Sequence, residues 1–204
     1  APPKRPRAAW ALLCAGLLLP GAPAVRSQDT DDDDAQADYL YGVGYQDLGQ
    51  FDEAIASYTK SIALDPTFAK AYQGRGGAHL QAGHLAEAVA DLTRALTLDS
   101  SLEPAYRARG IAYLNRNEWP AAIADLTRAL TLNPKSAETY AQRGLARRRS
   151  GDLAGALADY ESAITLQPYI GAFYGGRAHV RLEQGDVAAA IEDFTRQIER
   201  RDNA

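Results

Sequence analysis

From Ala35 onward, apolar residues recur at spacings of three and four, as in Trp119, Ile123, Leu126 and Leu130. That is the stripe of an amphipathic helix turned toward a core. The stripe repeatedly stops and restarts. One kind of break carries Gly49, Gly83, Asn117, Gly151 or Gly185, residues that take a left-handed conformation at little cost and so close a helix C-terminus. A second kind carries Pro66, Pro134 or Pro168, because the residue before a proline is pushed away from helical geometry. Pro120 falls instead in the first turn of its helix, where a missing N–H is harmless. The pattern predicts helix, tight turn, helix and connector in succession, with no convincing strand.

Some of the repetition is literal. ADLTRALTLDS at 90–100 returns as ADLTRALTLNP at 124–134, thirty-four residues later. A fixed period of about twenty to fifty residues marks a repeat architecture. The register divides the chain into five units without insertion: 35–68, 69–102, 103–136, 137–170 and 171–204. The eighth residue of a unit is small (Gly42, Gly76, Gly110, Gly144, Ala178) and the twentieth is alanine (Ala54, Ala88, Ala122, Ala156, Ala190). The twenty-fourth is large (Tyr58, Leu92, Leu126, Tyr160, Phe194). Large side chains beside small ones predict closely packed helices. No single hairpin buries its stripe, so neighbours must stack into a solenoid with one continuous core.

Two further positions vary together. The seventh holds Arg75, Arg109, Arg143 and Arg177, with Tyr41 in the first unit; the twenty-third holds Asp91, Asp125, Asp159 and Asp193, with Ser57 in the first. Residues that appear and vanish together predict a structural ladder of charge-assisted pairs, either within a hairpin or between adjacent ones.

With these residues in place, the chain resembles the tetratricopeptide-repeat family across residues 35–204. Ser100 and Asp202 depart from its terminal proline, and Arg147 and Arg181 stand at the eleventh position where Tyr45 and Tyr113 sit elsewhere. The resemblance implies an all-α, right-handed superhelical solenoid of antiparallel hairpins. It also implies a non-catalytic adaptor or scaffold that takes a peptide or partner protein in the concave groove, facing the second, fifth, ninth, twelfth and thirteenth residues of each unit. Those places include Lys70, Gln73, Arg107, Ile111, Leu114, Asn115, Arg148 and Arg149, apolar rungs with basic edges that would suit an acidic segment. Arg148 and Arg149 equally suit a solvated helix end, where positive charge complements the dipole. The asparagines of the family's carboxylate clamp are missing, with Val43, Gly77 and Ile111 at the ninth position and Gly74 and Ala108 at the sixth. Gln197, Arg200, Arg201 and Asp202 read as a polar cap. The alternative is a contact edge through which the last repeat pairs with another copy as a homodimer.

Ahead of the repeats, Lys4, Arg5 and Arg7 precede an apolar run from Ala8 to Leu19, a Pro20-Gly21 break and the triplet Ala22-Pro23-Ala24. This is the build of a cleavable signal peptide over 1–24, and it predicts an exported protein, periplasmic or secreted. Left uncleaved, residues 8–25 would be a membrane anchor, though Pro20, Gly21 and Pro23 make it short for one. Residues 25–34, with Asp31 to Asp34, read as an acidic disordered linker, one that in principle folds back onto the groove as an internal ligand. The lone Cys14 lies in the signal-like segment, so packing alone must stabilise the remainder.

A formal charge of −4 argues against nucleic acid as partner. Three histidines, His79, His84 and His179, do not share a helical face as paired metal ligands would. There is no GxSxG elbow and no glycine-rich phosphate loop after a strand. The chain therefore reads as no enzyme, with no cofactor and no metal.

Overall fold

A computed structural model describes residues 28–201, so the signal-like segment and the C-terminal Asp202 lie outside the described residues. Ten helices form five hairpins: α1 (Gln28–Asp47) with α2 (Phe51–Leu64), α3 (Ala69–Gln81) with α4 (Leu85–Leu98), α5 (Glu103–Asn115) with α6 (Trp119–Leu132), α7 (Ala137–Arg149) with α8 (Leu153–Leu166), and α9 (Gly171–Glu183) with α10 (Val187–Arg201). Each helix touches its hairpin partner, second helices touch the first helix of the following hairpin, and first helices also touch first helices (α1 with α3, α3 with α5, α5 with α7, α7 with α9). The result is an all-α solenoid whose inner wall is made of first helices.

Every hairpin closes in the same way. Gly49, Gly83, Asn117, Gly151 and Gly185 all have positive φ, between 61° and 89°. From the residue just after each of these positions to the one four before that position, one backbone bond spans the turn: Gln50 to Tyr45, His84 to His79, Glu118 to Tyr113, Asp152 to Arg147 and Asp186 to Arg181, at 2.8–2.9 Å. This six-to-one bond satisfies a carbonyl that the helix end would otherwise orphan.

Within a hairpin the small eighth residue permits close approach. A Cβ built on Gly76 would stand 2.7 Å from Leu92 Cγ, and one on Gly110 2.8 Å from Leu126 Cγ. Between hairpins the wall is alanine: Ala105 and Ala112 pack with Ala88, Leu92, Ala95 and Leu96 of the preceding unit, and Ala78 with Ala54 and Tyr58.

Two expectations are corrected here. The acidic run is helical rather than a linker, because α1 continues back through Asp31–Asp34 to Gln28. Asp29 and Asp31 fall in its first turn, where the helix dipole favours negative charge, and Ala35 is buried while Asp32, Asp33 and Asp34 remain exposed. Held in that helix, the run is not free to fold back onto the groove. The C-terminal end is not simply a polar cap either. Gln197 packs inward over Gly175, while Val187, Ile191 and Ile198 are exposed.

Candidate functional site: an inner groove and an arginine ladder

The four Arg–Asp pairs form within hairpins. Arg75 Nε and Nη2 donate to Asp91 Oδ2 and Oδ1 at 2.7 and 2.8 Å. The same two-pronged bond joins Arg109 to Asp125 at 2.7 and 2.9 Å, Arg143 to Asp159 at 3.0 and 2.6 Å, and Arg177 to Asp193 at 2.8 and 2.7 Å. The third guanidinium nitrogen reaches the preceding hairpin. Arg75, Arg109 and Arg143 donate from Nη1 to Thr59, Thr93 and Thr127 at 3.0–3.1 Å. Each guanidinium also lies 5.5–5.8 Å from a fourth-position ring, Tyr72, Tyr106, Tyr140 or Tyr174. The aspartate hydrogen bonds hold Arg75, Arg109 and Arg177 above the ordinary guanidinium pKa. These residues are committed to structure.

Arg147 and Arg181 belong to the same system. Arg147 Nη1 donates to Asp159 Oδ2 at 2.9 Å, and Arg181 Nη1 to Asp193 Oδ2 at 2.8 Å. In the last two units one buried carboxylate therefore holds two guanidinium groups.

The inner wall opens into a groove of about 350 Å³ over units one to three. Its lining includes Tyr39, Val43 and Gln46 of α1, Gln73, Gly77, Leu80 and Gln81 of α3, and Arg107 and Ile111 of α5, with Tyr58 as floor. Gln46 Nε2 donates to Gln81 Oε1 at 2.6 Å, and Tyr58 Oη donates to Gln46 Oε1 at 3.0 Å. Burial, with smaller pushes from Tyr39 and Asp47, raises the Tyr58 phenol well above its ordinary pKa, so it remains a hydroxyl donor. Gly74 lets the Tyr58 ring pack directly against α3: a Cβ there would stand 2.6 Å from Tyr58 Cε1. Arg107 lies at the far end with Nε 3.6 Å from Glu103, beyond hydrogen-bond reach, and one Glu103 oxygen is buried with no hydrogen-bond partner. A guanidinium so loosely held is available to an incoming carboxylate.

Of the residues expected in the groove, Gln73, Arg107 and Ile111 line this segment. Lys70, Leu114, Asn115, Arg148 and Arg149 do not. Lys70 is exposed and near enough to Asp99 to help hold that carboxyl down, behind the hydrogen bonds from Ser101. Arg148 is bonded to Glu183 of the next unit at 2.5 Å, at the same two places that Gln46 and Gln81 occupy in units one and two. Arg149 and Asn115 are exposed at helix ends. The lining residues that sequence reasoning missed, Tyr39, Gln46, Leu80 and Gln81, occupy the fifth, twelfth and thirteenth places of units one and two.

The histidines make packing contacts that the sequence did not specify. His79 and His84 meet across the turn, with Nδ1 atoms 3.3 Å apart and ring centroids at 5.5 Å. His179 packs edge-on against Phe194. Among the described residues no group of three or more His, Cys, Asp or Glu is placed to hold a metal ion, and no helix is long and apolar enough to cross a membrane.

Repeat models described as tetratricopeptide repeat match residues 109–172 and 69–102, and one described as TPR repeat matches 42–83. No curated protein matches the chain. Among solved structures, a crystal structure of MamA is 27% identical, covers 79% of this chain and 95% of its own, and superposes with a TM-score of 0.73. MamA from Desulfovibrio magneticus RS-1 gives 0.78 at 19% identity over 84% and 97% of the two chains. YrrB, described as a TPR protein with an unusual peptide-binding site, gives 0.72 at 20% identity over 84% and 89%. The last two comparisons concern the fold alone.

Proposed function

The chain belongs to the tetratricopeptide-repeat family, and from that premise we propose that it is a non-catalytic adaptor that holds a peptide or partner protein in the groove of units one to three. The observation that carries the reading is the groove's composition. Three side-chain amides, Gln46, Gln73 and Gln81, stand among apolar Val43, Leu80 and Ile111, with Gly74, Gly77 and Tyr58 lining the same groove. Amides both donate and accept, so they suit the backbone of an extended peptide whatever its sequence. The apolar lining of Val43, Leu80 and Ile111 suits an apolar side chain, and Arg107 suits an acidic residue toward unit three. Basic residues of unit four contribute little, because Arg148 is already paired with Glu183.

The basic start, apolar run and small-residue triplet of residues 1–24 support placing this adaptor outside the cytoplasm, in the periplasm or beyond. N-terminal sequencing of the protein recovered from an envelope fraction tests that placement: a start after Ala24 supports it, and an intact N-terminus in the cytosolic fraction contradicts it.

Selection of a displayed random-peptide library on the full chain tests the groove reading, beside an Arg107→Glu variant and a Gln46→Ala, Gln81→Ala variant with unchanged helicity. Enriched peptides should carry an acidic and an apolar residue. They should bind the Arg107→Glu variant about tenfold or more weaker, the worth of one charge-assisted hydrogen bond. No enrichment, or equal binding by both variants, would contradict the proposal.

A further inference from the structure

Among the described residues, every internal hairpin is covered on two sides by its neighbours, and the first and last hairpins are each covered by a neighbour on one. The faces left over are not rebuilt as polar surfaces. At the twenty-eighth position Leu96 and Leu130 are 8% and 6% exposed beneath the following unit, whereas Ile198 in the same place is 62% exposed. Val187 and Ile191 join it on the outer face of α10. At the other end, the third and tenth positions are Ala71, Ala78, Ala105 and Ala112 in units two and three, all wholly buried. Unit one keeps small residues there, Ala37 and Gly44, yet both are exposed. A notch of about 240 Å³ surrounds Gly44, walled by Leu40, Tyr41, Tyr45 and Leu48, and nothing lies within 4 Å of a Cβ built on Gly44. One end thus keeps the apolar knobs of a unit that has a successor. The other keeps the small-residue socket of a unit that has a predecessor.

Charge runs the same way. Residues 28–59 carry nine Asp and Glu and no Lys or Arg, and α10 ends in Arg196, Arg200 and Arg201. Second helices meet the following first helices across connectors of a few residues, as Leu64 leads to Ala69, so the end of one lies beside the start of the other. An α1 laid against α10 in that arrangement brings its acidic start to the basic end of α10, and its Gly44 notch toward Ile191.

We propose that the occupant of each end is a second copy of this chain, stacked head to tail so that α10 of one copy packs antiparallel against α1 of the next. The contact differs from the internal ones where Leu40 replaces the glycine of Gly74 and Gly176, and where Tyr41 replaces the ladder arginine. Bulk in place of close approach makes it a dissociable contact rather than a fused continuation. A heterologous contact of this kind does not stop at two copies unless the rotation closes a ring.

Light scattering and sedimentation on the full chain, from micromolar to millimolar concentration, test the proposal. The parent's mass should climb with concentration past that of a dimer. Leu48→Asp blocks the socket and Ile191→Glu blocks the knobs; both sites are exposed, and Leu40→Asp and Val187→Glu serve as a second pair should either variant lose helicity. Each single variant should stay monomeric, and an equimolar mixture of the two should form one-to-one dimers through the single intact pair of ends. The Arg107→Glu groove variant should associate as the parent does, which separates this contact from peptide binding. A parent that is monomeric throughout would overturn the proposal. So would association that survives both end variants, which would point to residues 1–27 or another face, or association lost only on Ile191→Glu, which would mean a tail-to-tail dimer.

Discussion

Glycine serves opposite purposes in this chain, and two alanine substitutions separate them. Gly110 faces Leu126 Cγ at a built-Cβ distance of 2.8 Å. Gly110→Ala gains roughly 1 kcal/mol of helix propensity but overpacks a close contact at about 1–3 kcal/mol, so the melting temperature should fall. Gly44 faces open space, so Gly44→Ala should raise melting by the propensity alone. Equal effects in thermal denaturation would contradict the packing described. Titration supplies a second prediction. Burial lowers the His79 pKa from 6.5, helped by Arg75 and His84 and opposed by Asp91 and Glu87. The unfolded imidazole therefore takes up its proton first as pH falls, and stability declines from about pH 6.5 down to the folded value. An NMR titration should place the His79 midpoint below 6.5, and a midpoint at or above it would refute the argument. Much at this scale was legible: the five turn residues announce their positive φ by type, and the small eighth residues announce close packing. The His79–His84 contact was not, because it is made across a helix end rather than along one helical face.

At the scale of elements, the arginine ladder ties each first helix to its own second helix and, through threonine, to the preceding hairpin. Removing one partner leaves a half-buried charge alone, so Asp125→Ala should cost about 3 kcal/mol, and an Arg109, Asp125 double-mutant cycle should show strong coupling. Asp159→Ala should cost more than Asp91→Ala, because it removes the buried partner of both Arg143 and Arg147, and its side chain is 3% exposed against 12%. Urea denaturation of the three variants decides this, and equal costs would mean that Arg147 adds nothing to the pair. The co-variation of arginine and aspartate exposed the ladder, and helices α3, α5, α7 and α9 begin at the unit boundaries read from the period. The start of α1 was misplaced because acidic composition suggested a linker, while helix position made the same charges favourable at an N-terminus. The pairing of Arg148 escaped for a different reason. Its partner Glu183 lies thirty-five residues on, the same offset as Gln46 and Gln81, and contacts between successive first helices escape a comparison made position by position. Reading the twelfth place of one unit against the thirteenth of the next would have found both.

For the whole molecule, the acidic first hairpin and the basic end of α10 give the solenoid an electrical direction along its length. Exposed charges are screened beyond about 8 Å at physiological ionic strength, so adding salt should reduce the parent's self-association while leaving the monomer's helicity unchanged; association that strengthens with salt would assign the contact to its apolar residues alone. The groove is a separate surface on the inner wall, and its assignment as the adaptor's binding site is the central claim. That claim is tested most directly by mapping one selected peptide onto the backbone amides of the full chain by NMR. Shifts should concentrate at Gln46, Gly77, Gln81 and Ile111, saturate together, and need about tenfold or more peptide to saturate in the Arg107→Glu variant. Shifts gathered on α2, α4 and α6, or at the exposed ends of α1 and α10, would contradict it.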